Sequence, residues 1–157
     1  MTQSVRISGA VFASVAAGIL LLAVAATIAM SSGASDSLRL PFRLLCHGIE
    51  SRSLLIAGEA MPICSRCTAI YVGMLAGVGA GLTALSRWQI SLPGWAAFLL
   101  ASPMILDGVT QLVGLRESTN DLRIATGLVA GFAFLFWAIT AIGANTDSGE
   151  AAVGTGS

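Results

Sequence analysis

The chain has no lysine, one histidine, one tyrosine and few charges of either sign. Eight arginines stand against eight acidic residues, so the formal net charge is zero and no basic field exists to attract nucleic acid; that class of partner is excluded. Charged side chains make up 10% of the residues, where a soluble globular chain carries about a quarter. The absence of lysine reads as a compositional bias, although arginine also suits bidentate contact with phosphate or carboxylate. What is abundant is apolar surface: 55% of the 157 residues are hydrophobic and the mean hydropathy is +0.86. A soluble core of that apolarity would leave large exposed patches, whereas a bundle of transmembrane helices absorbs it.

The expected fold class is therefore all-α. One integral membrane domain over residues 1–144 carries four transmembrane helices, with a Cys/His-containing segment at 31–67 between helices 1 and 2. The first span is placed at 7–30, an uncharged run too long for the apolar core of a secretory signal. The second, at 68–85, carries Gly73, Gly77 and Gly81 at four-residue intervals, a small-residue stripe that lets another helix approach closely. Packing within the chain is the favoured use of that stripe, and a homodimer through it is the alternative. The third span, at 94–115, contains Asp107 and Gln111 on one helix face. An ionised carboxylate in lipid costs about 3 kcal/mol or more, so this face must look into the bundle or a polar cavity. The fourth, at 122–144, has Gly127 and Gly131 as a second small-residue pair. Residues 145–157 are small, polar and glycine-rich, and read as a disordered tail.

Counting arginines near the spans sets an expected orientation in the cell membrane. Arg39, Arg43, Arg52, Arg66, Arg116 and Arg123 fall on the side of the Cys/His segment, and only Arg6 and Arg87 on the other. The Cys/His segment is thus expected in the cytoplasm and both termini outside, except that an arginine serving a site is not a topological vote.

All three cysteines and the histidine lie within that segment or at its edge: Cys46 and His47, then Cys64 and Cys67 in a C-x-x-C. Such a turn lets two thiolates reach one tetrahedral metal, and zinc sites complete the set with a second pair from a separate element. Cys46 and His47 are that pair here, although successive side chains diverge on a helix or a strand, so three firm ligands and a debatable fourth result. Pro62 drives Met61 toward extended backbone, which brings the chain into Cys64 as a strand-like arm. Pro41 is expected to open a short helix that ends near Gly48. A dithiol redox pair, activated by a helix start and Arg66, competes with a metal, but its usual βαβ setting is not visible. An iron–sulfur cluster wants four thiolates or two Cys with two His and fits less well.

The stretches CHGIESRS, MPICSRCTAIYVG and LDGVTQLVGLRESTNDLRIATG resemble a family of small prokaryotic membrane proteins known as domain of unknown function 2085, over about residues 39 to 131. Ala69 departs from that pattern, which has glycine there. The resemblance implies that Asp107, Gly108, Gln111, Asn120 and Arg123 belong with Cys46, His47, Arg52, Cys64, Arg66, Cys67 and Tyr71 as one set. The spacing agrees: Asp107 lies about 12 Å along its helix from the end facing the cysteine side, and Arg116, Asn120 and Arg123 close that end.

Three functions compete. The first is a membrane protein whose zinc-like site at Cys46, His47, Cys64 and Cys67 is chiefly structural, with Asp107 paired to Arg123 or another arginine. The second is a metal-dependent membrane enzyme acting on a lipid-like or phosphate-bearing substrate. His47 or Asp107 would be its base, and Arg52, Arg66 and Arg123, with Gln111 and Asn120, its anion-holding groups. The third is a small transporter or channel lined by Asp107 and Gln111, for which four spans without inverted repeats are a poor basis.

Overall fold

The computed structural model describes residues 3–154 other than Gln89 and Arg116, with side chains described as far as Ala144. Its four long helices are α1 (Gln3–Ser31), α2 (Ser65–Arg87), α3 (Gly94–Leu112) and α4 (Asn120–Gly154). Each is long and apolar enough to cross a membrane, α4 over Asn120–Ala144. Even α3, with 19 residues, reaches about 28 Å, close to the thickness of the hydrocarbon layer. These are the four spans expected from the apolar runs. The third stops at Leu112 rather than 115, where Gly114, at φ 71°, turns the chain out of the helix. The fourth continues past 144 to Gly154, into the stretch assigned to a polar tail; extending a helix already formed is cheap, because nucleation is the costly step. Residues 155–157 lie outside the described residues.

The centre of the bundle is the contact of α2 with α4. Gly73, Gly77 and Gly81 of α2 face Leu128, Phe132 and Ile139 of α4, and Gly127 and Gly131 of α4 face Arg66 and Ile70 of α2. A Cβ at Gly73 would fall on the carbonyl oxygen of Leu128, and one at Gly131 on that of Ile70. The two backbones therefore touch without side chains between them, which is how helices attract when lipid tails are as apolar as leucine. The glycine stripe is occupied within the chain. Val5, Val78, Leu135 and Ile139 fill the neighbouring apolar cluster, bringing α1 onto α2 and α4. On α1 and α3, Leu21, Leu22, Phe98 and Leu106 are each more than 60% exposed, as side chains facing lipid should be.

The segment between α1 and α2 adds a small two-stranded sheet to the helical bundle. A 3-10 helix spans Asp36–Leu44 and a single turn Glu50–Arg52, followed by an antiparallel hairpin of β1 (Ser53–Ile56) and β2 (Glu59–Cys64). The longer 3-10 helix begins five residues before Pro41, because the Ser35 side chain accepts the Ser37 N–H at 3.2 Å and caps it there. Pro41 sits inside, its fixed φ matching the 3-10 range. The hairpin pairs Ile56 with Glu59 across a two-residue turn in which Ala57 (φ 53°) and Gly58 (φ 82°) are both left-handed, the pattern that follows strand twist. Met61 and Ile63 of β2 are buried with Phe42 against Ala23, Leu20 and Val24 of α1. The hairpin thus lies alongside the last turns of α1 and holds the end of β2 at the start of α2.

Candidate metal centre and adjoining polar cluster

Cys64 is the last residue of β2 and caps the start of α2, Cys67 lies in the first turn of that helix, and Cys46 arrives just after the 3-10 helix. All three are free and half-buried, and their sulfur atoms lie within 4.8 Å of one another. Gly48, at φ 60°, makes this approach feasible: a Cβ there would sit 3.3 Å from the Pro62 carbonyl oxygen, so the chain around Cys46 runs closely against β2. Cys46 Sγ accepts the backbone N–H of Cys64 at 3.3 Å. Hydrogen bonds from the Cys64 and then the Cys67 side chain hold the Cys46 thiol far below the usual thiol range, against the opposing effect of burial. The N-terminus of α2 further favours negative sulfur.

A tetrahedral zinc with bonds of about 2.3 Å separates its sulfurs by roughly 3.8 Å, so a small inward movement converts this triangle into a three-thiolate face. His47 is exposed and lies outside the converging group. Its neighbour Cys46 turns inward, and adjacent side chains diverge. Tyr71, one turn beyond Cys67, packs with Cys46 and Cys67 beside Ile63.

On the far side of Cys64 the polar residues form a second group. Asp107 of α3 is buried at 7% exposure, and its Oδ2 accepts from the Arg66 guanidinium and, at 3.1 Å, from the Ser118 hydroxyl. Its ion-pair partner is therefore Arg66, in the first turn of α2, rather than Arg123. Gly108 leaves the face of α3 open where Arg66 passes. Asp107 Oδ1 and Arg66 Nε, both buried, have no hydrogen-bond partner among the described residues.

Arg123 of α4 is placed by the same close helix contact. Gly127 rides over the Arg66 carbonyl, and Arg123, one turn earlier on that face, points toward the start of α2. It is 7% exposed; its Nη1 donates to Asn120 Oδ1 at 2.8 Å. With the Gln111 amide turned so that its oxygen faces the surrounding donors, that oxygen accepts from Arg123 Nη2 at 3.2 Å and from the Ser118 N–H at 3.1 Å. Arg52 is exposed on the hairpin side, its carbonyl tied to the buried Ser65 hydroxyl at 2.9 Å.

The expected residues other than His47 thus occupy two adjoining clusters that meet at the β2–α2 junction, and Arg116 lies outside the described residues. Three contributors were not singled out from the sequence. Ser65 and Ser118 supply hydroxyls, their only signal being placement inside CSRC and the RESTND turn. Arg39, counted only for orientation, anchors the 3-10 helix to the hairpin through Glu59 at 2.5 Å.

Residues 46–137 match the family described as "Predicted membrane protein (DUF2085)", a stretch that opens at Cys46 and contains both clusters. An uncharacterised protein of Methanocaldococcus jannaschii is 40% identical over 97 residues, covering 61% of this chain and 62% of its own length. An uncharacterised protein of Methanothermobacter thermautotrophicus is 42% identical over 95 residues, covering 57% of this chain and 80% of its own. No solved structure matches the chain.

Proposed function

The chain belongs to the DUF2085 family of predicted membrane proteins, and on that footing we propose that Cys46, Cys64 and Cys67 bind a zinc-like divalent ion as thiolates in a site that is chiefly structural. The observation that carries this is the convergence of three sulfurs from three separate elements to within 4.8 Å. Such an ion would supply a rigid, charge-neutralising junction between the 3-10 segment, the hairpin and α2. The chain's own residues prepare the junction: the Cys64 N–H engages Cys46 sulfur, and Gly48 permits the close approach of the two arms. The arginine asymmetry supports a cytoplasmic placement of this segment, where thiols stay reduced and metal binding is favoured over a disulfide.

Elemental analysis of detergent-purified protein tests the proposal. About one zinc or comparable ion per chain is expected in the wild type, and a stoichiometric loss in Cys64→Ser. A metal-free wild type with intact fold ends the proposal.

The exposure of His47 favours a second reading. Three protein ligands leave one coordination position open, the arrangement of catalytic rather than closed structural sites, which points to a metal-dependent membrane enzyme. Phosphate-bearing or lipid-like substrates suit the arginines beside the centre. Retention of metal in His47→Ala would support the open position; loss of metal would assign His47 as the fourth ligand.

A further inference from the structure

The 3-10 helix Asp36–Leu44 and the residue after it carry an apolar face that no described residue covers. Phe42 alone of the helix is buried, whereas Leu40 and Leu45 are exposed and Leu44 is 92% exposed. The polar side of the helix is separate and already engaged, since Arg39 pairs with Glu59 and approaches Glu50 and Asp36. Single exposed leucines are ordinary, but three grouped beside a membrane span mark a surface that something covers.

Depth along the bundle identifies the cover. α1 runs antiparallel to α2: Gly9 meets Val78 and Leu82, and Ala23 shares an apolar cluster with Cys67 and Tyr71. Ala23 is therefore level with the first turn of α2, yet the uncharged run of α1 continues to Met30, about 10 Å farther at 1.5 Å per residue. α4 runs parallel to α2, with Gly127 over the Arg66 carbonyl and Gly131 over that of Ile70. Asp121, the exposed acid nearest this span, precedes Gly127 by six residues and so lies about 9 Å beyond the same level. Two helices thus place the polar boundary of the membrane about 10 Å beyond the start of α2. Phe42 sits with Ala23, Met61 and Ile63, and Cys46 Sγ meets the Cys64 N–H, so the leucines around Phe42 fall on the lipid side of that boundary.

We infer that the 3-10 helix is a re-entrant element of the membrane domain. Leu40, Leu44 and Leu45 lie among the acyl chains of the leaflet on the cysteine side, and the three thiols lie beneath its headgroups. Backbone can enter at this depth because it bonds internally: the Phe42 carbonyl accepts the N–H groups of Leu45 and Cys46, each at 2.9 Å. Arg43, exposed and without an ion pair among the described residues, carries its charge up to the headgroups along its flexible stem. Interfacial helices are held in this way, with an apolar face about 5–10 Å deep. The inference goes beyond the metal proposal and needs no bound ion.

The test uses full-length protein with Trp88→Phe, Trp95→Phe and Trp137→Phe, its cysteines intact, in phosphatidylcholine vesicles. A single tryptophan introduced as Leu44→Trp is quenched from the lipid by phosphatidylcholine brominated at shallow or deep chain positions, and from water by iodide present on both sides of the membrane. Leu44→Trp should lose about half its emission or more to the shallow bromines and under about a tenth to iodide, as its interfacial depth requires. Leu21→Trp, exposed near the middle of α1, should respond most to the deep bromines, and Asp36→Trp, at the polar end of the 3-10 helix, to iodide. Quenching of Leu44→Trp by iodide rather than bromine puts the face in water, and protection from both puts it under protein, a second copy included; either result overturns the inference. Helical circular dichroism checks the fold of each variant, and where Leu44→Trp does not fold, Leu40→Trp decides by the same criteria.

Discussion

Removing either partner of the Arg66–Asp107 pair should have unequal consequences. Asp107 retains 5% of its side-chain exposure and Arg66 retains 21%. In Arg66→Gln the carboxylate keeps the Ser118 hydroxyl but loses its counter-charge in a place water hardly reaches. Truncating one side of a buried pair typically costs about 3–5 kcal/mol, and this variant belongs at the upper end. In Asp107→Asn the stranded guanidinium is partly exposed and can turn to water along its flexible stem, so a loss nearer 2–3 kcal/mol is expected, on the order set by unsatisfied charged groups. The double variant removes both charges and should cost less than the sum, with a coupling of about 2–3 kcal/mol. Reversible unfolding in detergent, followed by helical circular dichroism across a four-member cycle, measures this directly. A parallel cycle of Asp107→Asn with Arg123→Gln should show weaker coupling, since those two charges interact without a direct contact. Additive losses in the Arg66 cycle, or stronger coupling to Arg123, would refute the pairing and the helix rotation that produces it.

Other substitutions probe the packing and the topology. Gly131→Ala drives a methyl into the Ile70 carbonyl and should destabilise by about 3 kcal/mol or prevent folding, whereas Gly18→Ala, with open space around it, should stay within about 1 kcal/mol of wild type in the same unfolding assay. Ala57→Gly relieves a left-handed residue in the hairpin turn and should stabilise by about 1 kcal/mol. In a cysteine-free background, a reporter thiol at Ser91 should label from outside with an impermeant reagent and one at Ser35 should not; the reverse pattern inverts the orientation.

The apolar runs made the four spans legible because length and charge exclusion are local properties of sequence. The stripe Gly73, Gly77 and Gly81 announced a close helix contact for the same reason. The hairpin was half legible: Pro62 marked β2 as an extended arm, but the four-residue β1 has no alternation to display, and its turn depends on Ala57 adopting a conformation alanine disfavours. In the candidate site, the C-x-x-C and the divergence of Cys46 from His47 followed from spacing alone. The partner of Asp107 did not. Choosing Arg66 over Arg123 requires the rotation of α2 against α4, which is set by Gly127 meeting the Arg66 backbone, and periodicity within one helix carries no information about that. Ser118 was equally hidden, since a turn hydroxyl has no pattern of its own.

X-ray absorption at the metal edge tests the three-thiolate centre most directly. On purified zinc-bound protein the first coordination sphere should contain three sulfur scatterers at about 2.3 Å and one nitrogen or oxygen at about 2.0–2.2 Å, with one sulfur lost in any of Cys46→Ser, Cys64→Ser or Cys67→Ser that retains metal. A sphere made only of nitrogen and oxygen, or a sulfur count unchanged by all three substitutions, would contradict it.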